Sequence, residues 1–365
     1  MMTVLYVLAA ILMLGVMIMI HECGHFWAAR LTGIPVREFA LGFGPKLLER
    51  KSRKYDTMFV LRMIPAGGYC AFYGEDDPGQ ADSRDPRLYN NARPWKRFIT
   101  ILMGPVMNFV LAMAVAVGFY WVTGEATGAV YGRCVVMSVT EGGPAEKGGL
   151  KAGDEVIAVN GQDASGLDDR EENYRLIAMI SAYREEDGPL MMDVMRGGER
   201  LSFAVTPEYS PSDGRMMIGV TLQGQVEYIY TPVSFFRGFT LAFDYCVRAG
   251  GSILNSLKNL VTRGEGLEDV GGTVRIVQVI AEETRAYGLE AYVSLLILIS
   301  VNLGLVNLLP IPGLDGSRLL FLIVEALLRR PLNRKVEAAV HLTGYAILLM
   351  LFVVLTYRDL VHLFS

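Results

Sequence analysis

Residues 2–20, 98–122, 291–309 and 336–355 form four stretches long and apolar enough to cross a bilayer, which constrains the fold more than any other feature. A span needs about 20 apolar residues. Inside hydrocarbon the backbone must satisfy its own hydrogen bonds, so each stretch is expected to be a helix. The first carries no charge, has no basic flank before it and no small-residue cleavage site after it, so it reads as a retained span. Loop charges orient the set. Residues 26–97 hold 13 Lys and Arg against 8 Asp and Glu, whereas 124–288 hold 15 against 24. By the positive-inside rule the first and third loops are cytoplasmic, and both termini and the long middle segment are outside, at the inner (plasma) membrane. A net charge of −4 argues against a nucleic-acid partner. Four cysteines in a chain of 365 residues make no disulfide framework, although Cys134 and Cys246 stay open as a pair.

Between the spans the composition changes. Residues 36–44 and 57–73 are rich in β-branched and aromatic side chains and are punctuated by Gly and Pro, as in a small sheet against the membrane. Residues 75–93 read as a loop, and Arg93, Trp95, Lys96 and Arg97 as an interfacial anchor. Within 124–207 strands are expected at 135–139, 155–159, 190–196 and 201–206, with a helix over 174–183. Residues 210–288 read as helical, with Phe235, Phe236, Phe239 and Phe243 crowded together. That density fits an amphipathic segment on membrane lipid, or a core helix of the outer domain.

Where the first apolar stretch ends, His21-Glu22-Cys23-Gly24-His25 forms an HExxH pattern. Residues four apart share a helix face, so both imidazoles can address one ion, and Glu22 beside them can take a proton from water. Polar groups at the end of an apolar helix are costly to desolvate unless something binds them. A hydrolytic zinc site needs a third protein ligand. Asp315 is the best candidate, because Pro310 and Pro312 interrupt the helix just before it and leave irregular backbone at membrane depth. His341 and Glu325 are its rivals.

HECGH, with NLLPIPGLDG over 307–316 far downstream, resembles the site-2 protease family of intramembrane zinc metalloproteases. The runs LGFGP (41–45), IPAGGY (64–69), GED (74–76) and GPVMNF (104–109) are similar to its PDZ-bearing bacterial branch, the RseP type. The resemblance implies that His21, His25 and Asp315 bind Zn2+, that Glu22 is catalytic and that Asn307 holds the substrate near the metal. It also implies that Gly42, Phe43 and Gly44, with strand 57–61, pair with an unwound substrate by strand addition. The implied substrates are single-span membrane proteins, of the kind represented by anti-sigma factors and remnant signal peptides. Where the family motif commonly continues Asp-Gly-Gly-His, this chain has Ser317 and Arg318, which puts the contacts made from those two positions in doubt.

Residues 142–161, from Gly142 through Gly153-Asp154 to Asn160-Gly161, are similar to a bacterial PDZ pattern. Such a domain either binds a peptide C-terminus or only excludes bulk. The expected fold is a polytopic α-helical membrane protein with four transmembrane helices, a membrane-associated β region and one extracytoplasmic α+β PDZ domain. In chain order the expected parts are helix 1 with HExxH (1–25), the β region and loop (26–97), helix 2 (98–123), the PDZ domain (124–209) and an amphipathic helical segment (210–288). Helix 3 (289–310), the LDG motif and cytoplasmic loop (311–335), helix 4 (336–357) and a tail (358–365) complete it. Two rival readings stand beside it. One is a membrane-anchored zinc protease acting on aqueous substrates; the other is a metal transporter or scaffold, which would spread polar ligands along several spans.

Overall fold

The computed structural model describes every residue except 1, 76–84, 86, 168–173, 185, 187, 212–213, 265–270, 331 and 365. Asp76 and most of the loop expected over 75–93 therefore lie outside the described residues. The chain divides into two compact units, Met1–Val122 with Val233–Ser365, and Thr123–Pro232.

Among the described residues of the first unit, four helices are long and apolar enough to cross a membrane: α1 (Met2–Thr32), α2 (Pro94–Thr123), α6 (Thr273–Leu308) and α8 (Arg334–Phe364). Each outruns the apolar stretch that signals it. α1 continues seven residues beyond His25, which keeps both histidines inside one regular helix. α6 starts well before the apolar stretch and kinks at Gly288 (φ 72°). Its first half packs Ile280 against Met13 and Met17 of α1. Small residues let the helices close: Ala112 and Ala116 of α2 meet Ala242 of α5 (Phe235–Arg263) and Ile297 and Val301 of α6. Leu342, Leu349, Met350, Val353 and Val354 of α8 face outward. Such a surface suits hydrocarbon and would be a liability in water. α5 also exposes Phe235, Phe236, Phe239 and Phe243 near its N-terminal end, while Gly238 and Ala242 are buried.

The stretch between α1 and α2 folds as β1 (Val36–Lys51) and β2 (Met58–Phe72), antiparallel and both bent, so that they pair as four stretches. Phe59 pairs with Phe39 on one side and Arg50 on the other; Val60 pairs likewise with Ala40 and Glu49. The 58–61 stretch is therefore interior, and Thr57 is buried with its hydroxyl donating to the Val36 carbonyl at 2.8 Å. This corrects the expectation that 57–61 is open to a substrate strand. Gly68, Tyr69 and Cys70 pair only with Leu41, Ala40 and Phe39 among the described residues, which makes 68–71 an edge.

The second unit holds a sheet in the order β10-β3-β4-β6-β7, made of β3 (Glu125–Val139), β4 (Glu155–Val159), β6 (Leu190–Arg196), β7 (Glu199–Val205) and β10 (Val220–Thr231). β5 (Gln162–Asp163) pairs with β4 through a turn at Asn160 and Gly161, both with positive φ, the geometry an Asn-Gly hairpin favours. β8 (Glu208–Ser210) and β9 (Arg215–Met217) form a separate ribbon. α3 (Pro144–Gly148) and α4 (Arg175–Ser181) supply Ala145, Leu176 and Ile180 to a core shared with Val136, Val156, Met192 and Val194. Strands 155–159 and 190–196 match expectation. β10 does not: residues 210–288 are not all helical, and this unit runs on to Pro232 because β10 pairs along β3. Asp154 is fully buried and accepts two 2.6 Å hydrogen bonds from Arg196. Burial alone would raise its carboxyl pKa, but the guanidinium outweighs it and holds the group below the ordinary range. All four cysteines are free thiols.

Candidate metal centre

His21 and His25 stand one turn apart on α1, with Nε2 atoms 3.2 Å from each other. Asp315 is delivered from the other end of the chain. α6 stops at Leu308, Ile311 and Leu314 bridge the turn with backbone hydrogen bonds, and α7 (Asp315–Leu328) begins at the aspartate itself. The turn needs close approach. A Cβ on Gly316 would lie 2.3 Å from the Leu308 and Leu309 carbonyl oxygens, and one on Gly344 of α8 would lie 2.2 Å from Pro312. Asp315 Oδ2 ends 3.1 Å from His21 Nε2 and 3.2 Å from His25 Nε2.

Three donor atoms thus form a near-equilateral triangle with edges of 3.1–3.2 Å. Ligands of a tetrahedral zinc ion with bonds of about 2.0–2.1 Å stand roughly 3.3–3.4 Å apart, so the triangle fits three corners and leaves the fourth for water. Asp315 Oδ2 is buried without a hydrogen-bond donor of its own, which also fits a cation. Among the described residues this is the one cluster of three His, Cys, Asp or Glu ligands able to share an ion. A methyl in place of the Gly104 hydrogen on α2 would sit 2.3 Å from the His25 ring, so only glycine lets α2 pass behind the site.

The outer ring nitrogens are also engaged. His25 Nδ1 lies 2.9 Å from the Thr100 carbonyl, and His21 Nδ1 lies 3.0 Å from the Asn108 side-chain amide. Glu22 is buried to 8% exposure and shares a cavity of about 630 Å³ with the three ligand candidates. Asn307, Phe43 and the edge residues from Gly67 to Phe72 line the same cavity. Gly42 and Gly44 do not line it. Their positive φ angles (88° and 83°) bend β1 so that Phe43 projects inward.

The rival ligands are elsewhere. Glu325 is paired with Arg97 at 2.7 Å, and His341 stacks edge-on to Phe321 and faces Ser317 Oγ. The two departures from the family motif acquire contacts: Ser317 Oγ donates to the Leu314 carbonyl at 2.8 Å, and Arg318 pairs with Glu75 and reaches the Tyr345 hydroxyl at 3.3 Å. These tie α7 to the segment after β2 and to α8. Sequence reasoning missed Thr100 and Asn108. The GPVMN run was the available signal for Asn108.

Two histidines on a membrane-length helix and a carboxylate from α7, close enough to share one ion and with a glutamate in the same cavity, fit a metal-dependent hydrolase of the membrane. Comparison with known proteins carries this further. A family model described as Peptidase family M50 matches residues 9–351, and the chain belongs to that family. A protein of Synechocystis sp. is 34% identical over 365 residues, spanning 99% of this chain and 96% of its own. One of Clostridium acetobutylicum is 30% identical over 356 residues, spanning 98% and 97%. Both carry the name "Putative zinc metalloprotease". Bacillus subtilis "Regulator of sigma-W protease RasP" is 28% identical over 440 residues, spanning 98% of this chain and 99% of its own. The chain is accordingly a zinc metalloprotease.

Proposed function

We propose that the chain is an intramembrane protease of the RseP type, in which His21, His25 and Asp315 hold zinc and Glu22 is the general base. The observation that carries the reading is the triangle of donor atoms in the C-terminal half of α1, with Glu22 in the same cavity. When bound, zinc supplies Lewis acidity to water and to the scissile carbonyl. Glu22 accepts the proton of the attacking water and returns it to the leaving amine.

A substrate helix hides its carbonyls in its own hydrogen bonds and must unwind first. The 68–71 edge lies along the cavity wall, paired on one side only, and suits strand addition; Phe43 and Asn307 flank the same space. Substrates are single-span membrane proteins. The name of RasP supports a place in sigma-factor regulation, which points to anti-sigma-factor-like partners. The two rival readings are less well supported. A protease for aqueous substrates would draw its third ligand from a soluble domain, and a transporter would distribute ligands along the spans, whereas the candidates converge at one locus.

The loop charges support a plasma-membrane protein with both termini outside. On that orientation a cysteine placed at Asn333, in a chain cleared of its own, is shielded from an impermeant thiol reagent in intact cells. Labelling there would invert the topology.

Residues 123–232 are read as one PDZ domain, supported by the Gly-Asp turn pinned through Asp154 and Arg196, and by the Asn160-Gly161 hairpin. We favour exclusion of bulky ectodomains over capture of a peptide C-terminus. The test is cleavage in liposomes of one single-span substrate, full-length and trimmed, with the cut bond mapped by mass spectrometry. Replacing Thr123–Pro232 by a flexible linker is expected to admit the full-length substrate and leave the trimmed rate unchanged. Slower cleavage of the trimmed form would favour capture. Cuts confined to the aqueous flank would contradict intramembrane action.

A further inference from the structure

Asn108 lies on α2, fully buried, and its side-chain amide is the partner of His21 Nδ1 at 3.0 Å. The atom drawn toward the ring is Nδ2, and the other end of the amide, Oδ1, is buried without any partner. In that orientation the amide donates, so His21 Nδ1 must accept. A neutral imidazole accepting at Nδ1 carries its proton on Nε2. That proton would point at His25 Nε2 and Asp315 Oδ2, each about 3.1–3.2 Å away, and would occupy the lone pair an ion requires.

Turning the amide over removes the conflict. The two ends are nearly the same size, and their assignment rests on the hydrogen-bond network. With Oδ1 toward the ring, it accepts from Nδ1–H of His21 and Nε2 is freed to bind, while the amide NH2 replaces Oδ1 as the end without a protein partner. His25 already has this arrangement: its Nδ1–H donates to the Thr100 carbonyl, an acceptor that cannot act otherwise. The Asn108 backbone is fixed as well, since Ser300 Oγ of α6 donates to its carbonyl at 2.9 Å. Two acceptors on α2, two turns apart, then orient both imidazoles the same way.

We infer that Asn108 is a positioning residue for the metal centre: its Oδ1 accepts from His21 Nδ1–H, which fixes the ring and presents the Nε2 lone pair to zinc. This rests on the proposed ligand set. Groups that orient a metal-binding histidine typically change affinity by about 10–100-fold when removed.

The test measures zinc affinity by chelator competition in detergent, in a Glu22→Gln background that cannot digest itself. Asn108→Leu, of similar size and without an acceptor, is expected to bind zinc about 10–100-fold more weakly. Asn108→Asp, which can only accept, is expected to hold zinc at least as tightly as asparagine. Asn108→Leu at wild-type affinity overturns the inference. So does Asn108→Asp as weak as Asn108→Leu, since the amide would then be acting as a donor. His21→Ala separates the two levels of the argument: if it keeps zinc, the ligand set itself has failed. A reading that requires no variant at position 108 to fold comes from the 15N-histidine spectrum of the zinc-loaded protein, tractable because the chain has four histidines. His21 protonated at Nδ1 is the expected result, and a proton at Nε2 overturns the assignment.

Discussion

Glu22→Gln is expected to leave zinc bound and to lower peptide-bond cleavage by about 10²–10⁴-fold, the range a positioned general base contributes. The amide keeps the shape of the carboxylate but cannot take a proton from water. None of the three proposed ligands is touched, so metal content should not move. Nor should the fold suffer. Glu22 is buried beside the edge of β2, where a Cβ on Gly68 would lie 3.1 Å from its Cγ, and a neutral amide is easier to bury there than a charge. Side-by-side turnover and metal analysis of the two proteins check this. Cleavage within tenfold of wild type would remove Glu22 from the chemistry, and loss of zinc would make it a ligand rather than a base.

How much of this could be read in the sequence depended on how local each feature is. His21 and His25 were legible because a four-residue spacing puts them on one face of any helix, and Glu22 because it directly follows His21. Asp315 was legible for a related reason: Pro310 and Pro312 end a helix wherever it lies, and a carboxylate just beyond that break has few uses in a membrane. Features set by pairing at a distance were not legible. Thr100 and Asn108 meet the histidines across 75 and 87 residues, and nothing in either span's composition announces that register. The site-facing edge at 68–71 and the interior position of 58–61 depend on how β1 and β2 bend back on each other, and both stretches have the same strand-like composition. Gly24 and Gly104 illustrate the same limit. A Cβ on Gly24 would strike the Met103 carbonyl and one on Gly104 the His25 ring, so each is required by the helix opposite and not by its own. β10 is a different case. Val220, Leu222, Val226 and Tyr228 alternate with Thr221, Gln223, Gln225 and Glu227, a strand pattern present in the sequence within a stretch expected to be helical.

The central claim is that His21, His25 and Asp315 together hold the zinc, and metal analysis of variants at the third position tests it most directly. Asp315→Asn preserves size and the turn that delivers the residue, but replaces an anionic oxygen by a neutral amide, a far poorer ligand for zinc beside two imidazoles. The two rivals serve as controls with contacts of their own. Glu325→Gln loses the 2.7 Å pair with Arg97, and His341→Ala loses its contact with Phe321. Either change can cost stability without touching the donor triangle. The account predicts about one zinc per chain in wild type, Glu325→Gln and His341→Ala, and loss of both zinc and activity in Asp315→Asn. Zinc retained by Asp315→Asn and lost from His341→Ala would contradict it.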